Sequence, residues 1–281
     1  MIEVAAAGLS TSGQVRDENE DAHVIVCPED PVVRERRGYL TAIADGLGGQ
    51  NAGQVASATA LRALVDAYYA PTAASRVEPA LQHATQVANL RVHDASRANA
   101  DFRGMQTTLS ALVLAGTAAY VAHVGDSRVY HWRRGVLTAV TTDHSEAAEL
   151  VRLRLVSPQA LADHPRRNVL TRTIGSQLLL RPDFRRLTVE EGDTFVLCTD
   201  GLWSEVSDAE IAAAAEQTSP DEAVKWLVGL QLGRASQDNA TAQIVRVTAI
   251  EPVTAESEGW LTGIVGRLIG PRPGRGAGES P

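Results

Sequence analysis

Short β-type runs dominate the hydrophobic pattern of this chain. AHVIV (22–26), YLTAIA (39–44), TTLSALVLAG (107–116), AAYVAHVG (118–125), RVYHWRRG (128–135), TFVLCT (194–199) and TAQIVRVTAI (241–250) alternate or run continuously apolar. That is the signature of strands with one or both faces buried. Several are separated by only a few residues, which favours antiparallel meanders over a regular βαβ alternation. Helices interrupt them in blocks. From Ala52 to about Ala70, Leu61, Leu64, Val65 and Tyr68 share one helical face, and a second helical block covers about 79–97. Ser207 to Glu210 reads as a capping box, and Ser219-Pro220-Asp221-Glu222 as another with Pro at the first helical position. Residues 145–180 are polar and irregular, an expected insertion over one sheet edge.

After about Ile250 the composition turns to Pro, Gly, Glu and Ser, so the chain divides into a folded unit, 1–250, and a tail, 251–281. Within the tail, Trp260, Leu261, Ile264, Val265, Leu268 and Ile269 recur at helical spacing. This stripe either folds back on the body or stays loose, or else it docks on a membrane surface or partner; its glycines favour the first reading.

The acidic balance, a net charge of -8, disfavours a nucleic-acid footprint. No run approaches the ~20 apolar residues of a membrane span, and the N-terminus lacks a secretory pattern, so a cytoplasmic protein is expected. Cys27 and Cys198 end apolar runs and read as buried, reduced thiols. Cysteine-dependent phosphate chemistry needs an Arg at a set distance after the nucleophile. Arg34 lies one residue too far from Cys27, and Ser204 stands where Cys198 would need that Arg.

Five acids stand where strands begin or end. Asp45 closes YLTAIA, Asp126 closes AAYVAHVG, Asp200 closes TFVLCT, Asp21 precedes AHVIV, and Asp238 precedes NATAQIVRV. Each alone could be a turn or cap residue. Together at one sheet edge they would repel strongly unless cations held them, and oxygen-only ligands select Mg²⁺ or Mn²⁺ over zinc. Gly46 would let the backbone carbonyl swing toward an ion, and Gly48 and Gly49 would admit water and substrate. Arg16, five residues before Asp21, could bind a phosphate through its planar fork or pair with Glu18 or Glu20.

RDENEDAH, ADGLGG, MQTTLSALVL, HVGDSRVY, LTRTIG, CTDGLW and DNATAQIV follow one another in the order and approximate spacing of a known family. Over residues 7–248 the chain resembles the type 2C metal-dependent protein serine/threonine phosphatases, and its DGLGG form resembles their bacterial branch. The resemblance implies an α+β fold, a four-layer αββα sandwich of two antiparallel sheets flanked by helices. It implies a hydrolase that uses two Mn²⁺ or Mg²⁺ ions to activate a water against phosphoserine or phosphothreonine, opposing a Ser/Thr kinase. Asp45 would bridge the ions, the Gly46 carbonyl would ligate one, and Asp200 and Asp238 the other. Glu20 and Asp21 would hold waters around them, Arg16 would bind the phosphate, and Asp126 with Asp200 would serve a weaker third ion. The partners would be phosphoproteins and a kinase, met by a monomer, with residues 145–180 resembling the family's flap.

Two positions depart from the pattern. Leu47 replaces a His proposed to protonate the leaving alcohol, so that proton would come from water. Ser204 replaces an Asp and weakens the case for a third ion. His144 is a minor candidate acid; its surroundings read more simply as a helix start capped by Asp143 or Ser145. The alternatives are a catalytically silent phosphoprotein-binding or metal-sensing relative, which would have lost some of Arg16, Asp45, Asp200 and Asp238, and a two-metal nuclease, which would want a basic track.

Overall fold

A computed structural model describes residues 2–251, apart from 49–51, 72, 75, 158, 159, 161–163 and 235. The tail stripe at 260–269 lies outside the described residues, as do Gly49 and Asn51.

Two antiparallel sheets face each other. In spatial order, the first joins β1 (Ile2–Thr11), β11 (Ala240–Ile250), β10 (Thr194–Cys198), β7 (Arg128–Arg133) and β8 (Val136–Ala139). The second joins β2 (Asp21–Val26), β3 (Tyr39–Leu47), β5 (Leu109–Ala115), β6 (Ala118–Val124) and β9 (Asp183–Thr188), with the two-residue β4 (Gln106–Thr107) on the end of β3. Helices α2 (Ala52–Tyr68) and α3 (Val77–Ala98) cover the second sheet; α6 (Asp208–Glu216) and α7 (Pro220–Gly233) cover the first. Three short helices complete the fold: α1 (Pro31–Arg37), α4 (Glu146–Arg152) and α5 (Asp200–Trp203). The architecture is the expected αββα sandwich.

Local signals account for the element ends. Ser207 accepts from the Glu210 N–H while Glu210 reaches back to the Ser207 N–H, the complete capping box, and Ser219 caps α7 ahead of Pro220. Ser145, not Asp143, caps α4 by accepting from the Ala148 N–H. The segment 145–180 is tied to the body by the Thr107–Ile174 bridge and closed on itself by the Ser145–Leu170 bridge and the Glu146–Arg166 ion pair at 2.7 Å.

Three strands escape the hydrophobic pattern. β1 carries an alanine run with helical propensity and becomes a strand through a ladder along its whole length with β11. β8 (VLTA) is a four-residue, largely exposed edge strand too short to show alternation, and β9 (DFRRLT) is a charged edge strand. TTLSALVLAG splits at Thr108 into β4 and β5. Cys27 is exposed rather than buried, because it stands just past the end of the edge strand β2; Cys198 is fully buried, and both thiols are free.

The period-2 alternation of strands positions everything that follows. On β3, Leu40, Ala42 and Ala44 pack under α2 and α3, while Tyr39 and Ile43 face the opposite sheet. On β10, Val196 and Cys198 face α6 and α7, while Phe195 and Leu197 face inward. Continuing these inward rows brings up Asp45 after Ile43, Thr199 after Leu197, and Gln243 then Thr241 before Val245. Thr41 and Gln243 already bond across the gap at 2.5 Å. The space between the sheets is therefore apolar at one end and lined by acids and hydroxyls at the other.

Phe195 is fully buried in this apolar layer, stacked on His131 at 4.8 Å. Phe195→Ala should destabilise the protein by about 3–5 kcal/mol, read as a lowered midpoint in urea unfolding. A change under about 1 kcal/mol would contradict the inter-sheet placement.

Candidate metal centre

Asp21 and Asp45 stand directly opposite each other in the β2–β3 ladder, on the inward row. The Asp45 backbone is fixed on both sides. Its N–H donates to Thr108 Oγ1 at 2.8 Å, and its carbonyl accepts from the Thr108 N–H (2.9 Å) and Thr107 Oγ1 (2.8 Å). The next residue must be glycine for a packing reason: a Cβ on Gly46 would strike the Gly53 carbonyl, because the first turn of α2 lies against β3. Close approach of the two backbones thus requires glycine at 46 independently of any role for its carbonyl. Glu20 sits in the same corner, its carboxylate accepting from the Gly53 N–H and its carbonyl accepting from Ser57 Oγ at 2.7 Å.

The first sheet supplies the facing groups. Asp200 opens α5 directly after β10, within hydrogen-bond reach of Asp45. Asp238 precedes β11, with Oδ1 accepting from the Asn239 N–H at 3.0 Å and paired with Arg16 at 3.0 Å. Arg16 thus binds Asp238, not Glu18 or Glu20. Asn239 holds the Arg16-bearing loop: its Oδ1 accepts from the Glu20 N–H, and its amide donates to the Ser12 and Glu18 carbonyls. Asp126 lies in the crossover from β6 to β7, its carbonyl accepting from Trp203 Nε1 at 3.0 Å.

Sequence reasoning did not single out Thr108, Thr199, Thr241, Asn239 or Trp203. Lone hydroxyls and amides carry no spacing signal; only proximity to Asp200 and Asp238 could have pointed to three of them. His144 is buried with Nδ1 accepting from the Gly125 N–H, and burial depresses its basicity, so its ring is neutral and poorly suited to donate a proton.

The acids perturb one another. Burial first, then the charges of Asp21, Asp200 and Asp126, hold Asp45 well above the usual carboxylate range. Burial and the Asp200 charge raise Asp126, and burial raises Asp200, with Asp238 adding to it. Asp21 is pushed up to about 7 by burial and by Asp200 and Asp238, against two hydrogen bonds that favour its charged form. Four acids, Asp21 and Asp126 buried and Asp45 and Asp200 partly exposed, stand near a half-exposed Arg16 whose charge is already shared with Asp238 and an Arg128 paired with Asp143. Such a cluster calls for protons or for cations, and its all-oxygen donor set suits Mg²⁺ or Mn²⁺. Among the described residues no three acidic, histidine or cysteine side chains already converge on one point at ligand distance. Asp238 is held by Arg16, but that pair is roughly half exposed on both sides (53% and 46%). Pairs of this kind are worth about 0–1 kcal/mol and exchange readily. The chemistry of the donors, carboxylates and a backbone carbonyl, suits hard divalent cations.

A polar groove of about 640 Å³ leads to this cluster, lined by Arg16, Asp238, Ser204, Arg234 and, from the 145–180 segment, Arg167 and Asn168.

Comparison with known proteins places the chain in a family. Residues 14–240 match the family model described as protein phosphatase 2C. The serine/threonine phosphatase stp of Listeria innocua is 36% identical over 202 residues, covering 71% of this chain and 78% of that protein. The crystal structure of the Mycobacterium tuberculosis serine/threonine phosphatase PstP/Ppp superposes with a TM-score of 0.78 at 30% identity, over 89% of this chain and 100% of the other. The catalytic domain of PstP in complex with two manganese ions superposes with a TM-score of 0.76 at 29% identity, over 89% and 100%.

The raised acids give a signed prediction. Unfolded, Asp21 titrates near 3.8; folded, near 7, so between these values the folded state binds more protons. Stability in excess chelator should therefore fall as pH rises through this window, with Asp45, Asp126 and Asp200 contributing in the same direction. Melting curves in EDTA at about pH 5 and about pH 7.5 should show this, and Mn²⁺ should restore more stability at the higher pH. A chelated protein equally stable at both, with no Mn²⁺ response, would contradict it.

Proposed function

Because the chain belongs to the protein phosphatase 2C family and is thereby a protein serine/threonine phosphatase, we propose that it hydrolyses phosphoserine and phosphothreonine at the Asp45–Asp200–Asp238 cluster. It would undo the transfer made by a serine/threonine kinase. The observation that carries this reading is the placement of Asp21 and Asp45 directly opposite each other with Asp200 in hydrogen-bond reach, a concentration of like charge that Arg16 only partly offsets.

In this reading Asp45, the Gly46 carbonyl, Asp200 and Asp238 would hold two Mn²⁺ or Mg²⁺ ions. Glu20 and Asp21 hold surrounding waters, and Asp126 with Asp200 a weaker third ion. Ions bound there supply Lewis acidity at neutral pH, making a water more acidic and offsetting charge on the phosphoryl oxygens. Arg16 exchanges Asp238 for the substrate phosphate, gaining a bidentate partner in place of a weak surface pair. Water gives the leaving alcohol its proton, since Leu47 cannot. At Ser204 a neutral hydroxyl replaces a carboxylate, which weakens the third position.

The groove beside Arg16, lined also by Arg167 and Arg234, would receive the phosphorylated segment of the substrate. Segment 145–180 also exposes Leu153, Leu155, Val169, Leu178 and Leu179, apolar surface suited to a protein substrate rather than a small metabolite. Residues 1–250 form the catalytic unit and 251–281 a separate tail. The free thiols suit a reducing cytoplasm, and no helix among the described residues is long and apolar enough to cross a membrane.

Hydrolysis of p-nitrophenyl phosphate and of a phosphothreonine peptide should require Mn²⁺ or Mg²⁺. Asp200→Asn should lower kcat by about 10²-fold or more. Arg16→Ala should raise KM for the peptide by roughly ten- to a hundredfold, the loss of a charged hydrogen-bond donor. Metal-independent turnover, or an unimpaired Asp200→Asn, would overturn the assignment.

A further inference from the structure

The most completely satisfied group near the cluster is one oxygen of Asp21. Oδ2 accepts from Thr199 Oγ1 at 2.8 Å and from Thr241 Oγ1 at 2.7 Å. Both threonines lie on the opposite sheet, and both hydroxyls are buried. The proton directions are fixed by what stands behind them. The Thr241 N–H donates to Thr199 Oγ1 at 2.9 Å, so that oxygen's proton is left for Asp21. Asn19 Nδ2 donates to Ser10 Oγ at 2.8 Å, and Ser10 Oγ lies 2.7 Å from Thr241 Oγ1, so the chain runs from Asn19 through Ser10 and Thr241 to Asp21. The Asp21 N–H then donates to Asn19 Oδ1 at 3.1 Å, closing a ring.

Every hydroxyl on this path points its proton toward one carboxylate oxygen. With both lone pairs of Oδ2 occupied, Asp21 has only Oδ1 left for the centre. Thr199 is also the residue before Asp200, and Thr241 stands three residues after Asp238. The two hydroxyls thus tie an acid of the second sheet to both acid-bearing segments of the first.

We propose that Thr199 and Thr241 are positioning residues for the metal centre: they latch Asp21 across the sandwich, keep its one free oxygen aimed into the cluster, and so set how tightly the divalent pair is held. This rests on the reading of Asp45 and its neighbours as a metal centre. Removing a hydroxyl leaves the buried oxygen short of a donor, a deficit larger than the net worth of the bond itself.

Calorimetric titration of the full chain with Mn²⁺, after stripping with EDTA, tests the latch without reference to turnover. Thr199→Val and Thr241→Val keep the shape and delete the hydroxyl; Thr199→Ser and Thr241→Ser restore it. Each Val variant should bind Mn²⁺ about tenfold more weakly or worse, the double variant more so, and each Ser variant within about threefold of the parent. Melting in EDTA confirms that each variant is folded before titration. Val variants that are folded and bind Mn²⁺ like the parent would overturn the proposal, as would Ser variants as weak as Val. Asp45→Asn separates the two levels. If it abolishes binding while the Val variants do not weaken it, the latch alone fails; if Asp45→Asn binds Mn²⁺ undiminished, the metal-centre reading fails with it.

Discussion

Like charges are held together here at the end of the space between two sheets. Asp21 and Asp45 are cross-strand partners on an inward row, and Asp200 approaches them from the facing sheet. The apolar packing of Ile43, Leu112, Phe195, Leu197 and Val245 fixes the register of both sheets. A one-residue slip would turn Asp45 toward α2 and bury Ala44 and Ala42 against the wrong layer. The core at one end of the sandwich therefore constrains the acids at the other. Strand parity leaves the acids nowhere else to go. A cluster compressed in this way favours whatever neutralises it, and with only carboxylate, carbonyl and hydroxyl oxygens present, a hard divalent cation is the natural counter-charge.

The rim of the site is built differently. Arg16 and Asp238 are about half exposed, and their pair is weak enough to exchange for stronger partners, a cation for the aspartate and a phosphate for the arginine. Interior acids supply a fixed field, while rim residues respond to what arrives. The loop carrying Arg16 is nonetheless not loose, since Asn239 holds three of its backbone groups. Positioning is thus shared between neutral amides and hydroxyls, leaving the charged groups free for ligands.

Most of the acids were legible in the sequence because each sits where a hydrophobic run stops, and a strand end is where a side chain can leave the core for a shared cleft. Arg16 was legible by its nearness to Asp21, but its partner was not, because Asp238 lies more than two hundred positions away. β1 was illegible: IEVAAAGLS has the composition of a helix, and only the ladder with β11 makes it a strand. Gly46 has a second constraint that the sequence did not show, the close approach of the Gly53 carbonyl. Ser10, Thr199 and Thr241 left no trace, because a single hydroxyl in a strand is indistinguishable from any β-branched or small residue until the facing sheet is known.

Anomalous diffraction from crystals grown in Mn²⁺ tests the central claim most directly. Two manganese peaks should flank the Asp45 carboxylate, ~4 Å apart, with Asp238 turned away from Arg16 to meet one of them. Peaks confined to surface carboxylates, with Asp45 and Asp200 still bonded to each other and Asp238 still paired with Arg16, would contradict the account.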